Sequence, residues 1–109
     1  YTFTTVGSAP SASVSNNYDG LLSGFYTWTL SITHTGGSVP TSYSWGVQFS
    51  NASGGSVLAS STGSGTWTAG TNGTQTVTRN SSTYNWARWV SITVSNTYGT
   101  GGPYSTAWA

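Results

Sequence analysis

Few residues in this chain carry reactive chemistry. One imidazole (His34), one side-chain carboxylate (Asp19) and twenty serines are, on paper, the parts of a Ser-His-Asp triad. Such a triad works because nucleophile, base and acid are held in one hydrogen-bonded line, and in many hydrolases the serine stands in a glycine-flanked elbow. No serine here has the Gly-x-Ser-x-Gly spacing of that elbow. His34 instead follows Tyr26, Trp28, Leu30 and Ile32 at a spacing of two, just before Gly36 and Gly37. That is the position of a rim histidine bonded to backbone. Asp19-Gly20 after Asn16-Asn17 is a turn signature, because Asn and Asp accept backbone hydrogen bonds and Gly accepts positive φ. Calcium takes about six to eight oxygens, usually with several carboxylates, so a lone Asp19 reads as a turn. A glycosidase needs two carboxylates and a zinc site several His or Cys; the chain has neither set and no cysteine at all. The expectation is a protein that is not an enzyme and uses no metal or cofactor.

The cations, Arg79 and Arg88, are too few to neutralise nucleic-acid phosphates. In a chain without lysine they are expected to stack on aromatic rings. Rings are plentiful: six Trp, seven Tyr and three Phe. Trp67 lies in a Thr- and Gly-rich stretch, and Tyr98 precedes a Gly-rich turn. In Tyr84-Asn-Trp-Ala-Arg-Trp89, strict alternation puts Trp89 on the face opposite Val90, Ile92 and Val94. Trp67, Trp89 and Tyr98 are therefore candidate outward rings. Three readings stay open for them: a stacking platform for a sugar, a protein contact of the kind enriched in Trp and Tyr, or rings covered by loops. Asn51-Ala-Ser, Asn72-Gly-Thr and Asn80-Ser-Ser are sequons, which makes Asn51, Asn72 and Asn80 candidate N-glycosylation sites.

The elements that must hold these residues are strands. Tyr26, Trp28, Leu30 and Ile32 alternate with Thr27, Thr29, Ser31 and Thr33; Tyr43, Trp45, Val47 and Phe49 alternate with Ser44, Gly46, Gln48 and Ser50; Val90, Ile92 and Val94 alternate with Ser91, Thr93 and Ser95. Period two with one apolar and one hydroxylated face is the mark of a half-buried strand. Weaker strands are expected at 56–60, 66–69, 74–79 and 104–108, separated by turns at Gly36-Gly37, 51–55, 63–65, 70–73, 80–82 and 99–103. Seven or eight short strands in one domain spanning 1–109 predict an all-β, immunoglobulin-like antiparallel β-sandwich, with a barrel as the alternative. Residues 1–6 read as a strand with Tyr1, Phe3 and Thr5 on one face, and 7–20 as a long hydroxyl-rich connection after it. Residues 1–20 are thus a candidate donor strand and linker. Whether that strand pairs within its own domain or with a neighbour is left open.

Composition sets the surroundings. Serine, threonine and glycine fill 55 of 109 positions, and only three residues are formally charged. Leu, Ile, Val and Phe total 17, a level that signals disorder only when aromatics are few and net charge is high. Here 16 rings and a net charge of +1 point to a small ring-rich core. No run reaches the ~18 apolar residues of a membrane span. So little charge is unusual for a protein of the cytosol, where charge keeps molecules apart, and a chain opening at Tyr1 is compatible with signal removal. An extracellular or cell-surface location is expected.

In its low-charge, Ser-, Thr-, Gly-, Asn- and Trp-rich composition the chain resembles two groups of secreted β-sandwiches. One is the low-charge carbohydrate-binding modules of polysaccharide-degrading enzymes. The other is the subunits of extracellular, pilus-like filaments built by donor-strand exchange. The second resemblance implies a structural subunit whose partners are copies of itself. Its assembly strand would be Tyr1, Phe3, Thr5 and Val6, with Phe3 entering a pocket between the Tyr26–Ile32 and Val90–Val94 strands. The first implies a polysaccharide partner held by exposed aromatics. Strand edges without lysine gatekeepers favour the filament reading.

Overall fold

The computed structural model describes residues 7–109. These form seven strands and no helix: β1 (Ser11–Leu22), β2 (Phe25–Gly36), β3 (Ser42–Ser50), β4 (Ala59–Thr66), β5 (Thr74–Ser81), β6 (Trp86–Asn96) and β7 (Gly99–Tyr104). With no helix, the described residues include none long and apolar enough to cross a membrane. All pairings are antiparallel, in a three-stranded sheet ordered β1-β2-β5 and a four-stranded sheet ordered β4-β3-β6-β7. The chain changes sheet at the β2–β3, β4–β5 and β5–β6 connections, the crossing pattern of an immunoglobulin-like Greek-key sandwich. It departs from the constant-type arrangement in that β4 pairs with β3 and not with β5.

The two strands with the clearest alternation form the middle of the core. On β2, Trp28, Leu30, Ile32 and His34 are buried, and Thr29, Ser31 and Thr33 lie on the other face. On β3, Trp45, Val47 and Phe49 face inward. Ring-rich packing follows: Trp28 lies 5.6 Å from Phe49 between centroids, and Trp45 meets Trp89 edge-on at 5.4 Å. Such tilted contacts add about 0.5–1.5 kcal/mol to the burial itself. The outer face of the first sheet is tied by hydroxyl ladders, Thr33 to Thr74 and Thr29 to Thr78. β1 and β2 join through Ser23 (φ 52) and Gly24 (φ 84), the two positive-φ positions of a tight hairpin turn.

Three segments differ from what the sequence predicts. The segment read as a connection over 7–20 is largely strand, since β1 begins at Ser11. Its inward residues Ala12, Val14 and Asn16 are small or polar, so the alternation is faint. The Gly63-Ser-Gly65 turn is the interior of β4, where a Cβ on Gly63 would stand 2.3 Å from the Trp45 ring; glycine there makes room for an aromatic. The turn expected at 99–103 is strand β7, where a Cβ on Gly101 would meet the Pro10 carbonyl oxygen at 2.0 Å. Past Tyr104 the chain still follows β6, with Thr106 N–H donating to Trp89 O and Ala87 and Ala109 exchanging both backbone bonds.

Candidate assembly surface

His34 is buried, and both ring nitrogens are engaged. Nε2 bonds the carbonyl of Gly36 at 2.7 Å, and Nδ1 accepts the Asn72 N–H at 3.0 Å. An Nδ1 that accepts is unprotonated, so the ring is the neutral Nε2–H tautomer, fixing the β4–β5 connection to the end of β2. Asp19 is the extra residue of a bulge between Tyr18 and Gly20 on β1, and its carboxylate accepts from Asn17 Nδ2 and Thr29 Oγ1. His34 and Asp19 thus serve different ends of the sandwich.

The candidate outward rings separate. Tyr98 is 58% exposed in the β6–β7 turn, whereas Trp67 is 7% and Trp89 0% exposed. Trp67 donates to Gly70 O and lies edge-on to Tyr43. Trp89 is inside because β6 carries an extra residue. Gly46 pairs with Val90 but Ser44 with Thr93, so two residues of β6 oppose one of β3, and Ser91 takes φ 54. This bulge shifts the parity by one. Trp89, Ile92 and Val94 face the core while Val90 is only half-buried. The buried indole N–H is received by Asn16 Oδ1 at 3.0 Å, and Asn16 Nδ2 in turn donates to Ala87 O. The sequence placed Asn16 in a turn signature; it is an inward residue of β1, and with Trp89 expected to face outward the pairing of the two was not legible.

Both arginines stack on rings. Arg79 lies 4.3 Å over Trp45, and Arg88 lies 5.0 Å over Trp108 while donating to Gln48. Asn51, Asn72 and Asn80 are all exposed. The assembly residues Tyr1, Phe3, Thr5 and Val6 lie outside the described residues. Leu30, Ile32, Ile92 and Val94, on the strands expected to line a pocket for Phe3, are fully buried in one core cluster.

The sheet edges differ in how they are guarded. A free edge offers unpaired N–H and C=O groups, and proteins blunt it with bulges, prolines or charges. β1 has a register break at each end and carries Asp19. β7 contains Pro103, which lacks an N–H, and Tyr104 reaches from it to the Ala12 N–H of β1. β5 carries a charge, Arg79, exposed at an inward register position where it lies over Trp45. β4 has none of these. It pairs with β3 in unbroken register over its eight residues, Ala-Ser-Ser-Thr-Gly-Ser-Gly-Thr, without charge or proline. β4 and β5 lie on the same flank, since β1 packs across to β6 and β7 and Arg79 of β5 reaches Trp45 of β3. Comparison with protein-family models, curated proteins and solved structures finds no match for the chain.

Proposed function

We propose that this protein is a non-enzymatic, extracellular structural subunit that assembles into a filament by strand addition, residues 1–6 of one copy lying beside β4 of the next. The observation that carries this reading is the contrast among edges: β4 is long, regular and unguarded where β1, β5 and β7 each carry a device against pairing. An added strand bonds to that edge through its backbone and contributes alternate side chains. The inward-facing positions of β4 are Ala59, Ser61, Gly63 and Gly65, all of them small. An antiparallel register with Phe3 beside Gly63 and Tyr1 beside Gly65 sets large against small, with the Phe3 ring at the edge of Trp45. Enclosing a Phe there stabilises by roughly 1.5–3 kcal/mol. A polysaccharide-binding function has less support, because Trp67 and Trp89 are interior and Tyr98 alone does not make a platform.

The closed core changes what a truncation should do. Deleting residues 1–6 should abolish filaments and leave a soluble, stable monomer, seen by sedimentation and electron microscopy. The free Tyr1–Val6 peptide should bind that monomer and raise its melting temperature without restoring filaments. Filaments from the truncated protein, or an intact protein that stays monomeric at high concentration, would overturn the reading.

A further inference from the structure

The exposed apolar residues are not scattered. Of the eight large ones, Leu21, Leu22 and Phe25 form the tip of the β1–β2 hairpin, with Tyr18 flanking it, and Val57 and Leu58 lie in the β3–β4 connection. The connection is at the same end, because Phe49, which pairs with Ala59, meets Trp28 near the base of the tip. The other two, Val39 and Tyr98, lie at the opposite pole, in the β2–β3 connection and the β6–β7 turn. No charged residue occurs in 20–26, 51–58, 37–41 or 97–98. The two turn residues, Ser23 and Gly24, are ordinary turn chemistry, but the residues flanking them, Leu21, Leu22 and Phe25, are apolar and exposed.

The pole carrying Val39 and Tyr98 is also where residues 1–6 join the body. Their root is clamped: Ser8 N–H donates to Ser38 Oγ, Ser38 N–H donates to Ser8 O, and Asn96 Nδ2 donates to the carbonyls of both. The Tyr98 ring lies directly over Gly7, leaving no room for a Cβ. The segment therefore departs from a fixed point at one end, and the apolar tip is at the other.

We infer that copies of this chain meet head to tail, the apolar Leu21–Phe25 tip of one seated on the Val39–Tyr98 pole of its neighbour. This rests on the strand-addition reading and makes its geometry consistent. β4 runs from the tip pole at Ala59 to the opposite pole at Thr66. A neighbour whose clamped root abuts the tip pole sends residues 6 to 1 along β4 in that same direction, so its chain runs antiparallel to β4. Six extended residues reach roughly 20 Å, most of the length of an eight-residue strand. The two poles are different surfaces, so the contact is heterologous and does not close on itself, which is the condition for an open filament.

The test uses the absence of cysteine. Leu22→Cys and Val39→Cys proteins are assembled separately and as a mixture, then treated with a short bis-maleimide. Head-to-tail contact gives covalent dimers in the mixture and none from either protein alone. Dimers from Leu22→Cys alone (a symmetric tip-to-tip contact), or assembled material without cross-links in the mixture, would overturn the inference. In parallel, L21E/L22E should raise the concentration needed for assembly by more than about tenfold, with binding of the Tyr1–Val6 peptide to the truncated subunit unchanged. Normal assembly of that variant would also overturn it. Should strand addition itself be wrong, the peptide binds neither protein, so the two failures are distinguishable.

Discussion

His34, Asn16 and Ser91 each do structural work that their residue type does not announce. Replacing His34 with Phe keeps a planar ring but strands the Asn72 N–H and the Gly36 carbonyl. A loss of about 1–3 kcal/mol is expected, measured by denaturant unfolding. Ser91 holds the left-handed backbone of the β6 bulge. Strand propensity alone favours Val at such a site, yet the bulge makes Ser91→Val cost about 1–2 kcal/mol, because a β-branched residue at positive φ is strained. An increase in stability would show that the bulge is not what sets the parity of β6. The same bulge explains why Trp89 was legible as a strand residue and not as a core residue. Alternation fixes a face only while the count is unbroken, and one extra residue inverts everything before it. The stacking of Arg79 and Arg88 on rings was readable because a lysine-free, ring-rich chain offers little else.

At the scale of elements, β2 and β3 were plain in the sequence because β2 buries four alternate positions and β3 three between the two sheets. β4 and β7 were hidden by their glycines. Glycine reads as a turn when it supplies backbone freedom, but Gly63 and Gly101 are there for close approach, under Trp45 and against Pro10. Gly63→Ala should therefore cost about 1–3 kcal/mol through overpacking, although Ala is usually the better strand residue. The β4 edge supplies a second prediction. Ser61 is exposed at an inward position, so Ser61→Lys places a charge where edges are naturally protected. It should leave monomer stability within about 0.5 kcal/mol and abolish filaments. Unchanged assembly of this variant would move the acceptor edge away from β4. The edge itself was only partly legible: missing lysines were visible from composition, but which edge lay open depended on bulges and on Arg79 standing at an inward register position.

At the scale of the whole molecule, a sandwich with hydroxyl-clad sheet faces, apolar poles and one unguarded edge is suited to repeat itself along an axis. In the proposed filament, residues 1–6 leave their own domain and pair with β4 of another copy. The most direct measurement places one cysteine on each side of that contact in a chain that otherwise has none. Thr4 and Thr62 fall opposite each other in the proposed register, both on the outer face. Mixed Thr4→Cys and Thr62→Cys proteins, oxidised after assembly and examined by non-reducing electrophoresis, should give a covalent dimer that neither protein forms alone, since cross-strand Cβ atoms lie about 4.5–5.5 Å apart. The T4C/T62C double variant, oxidised while dilute, should remain uncross-linked. An intrachain disulfide in the dilute double variant, or filaments from the mixture with no disulfide dimer, would contradict the account.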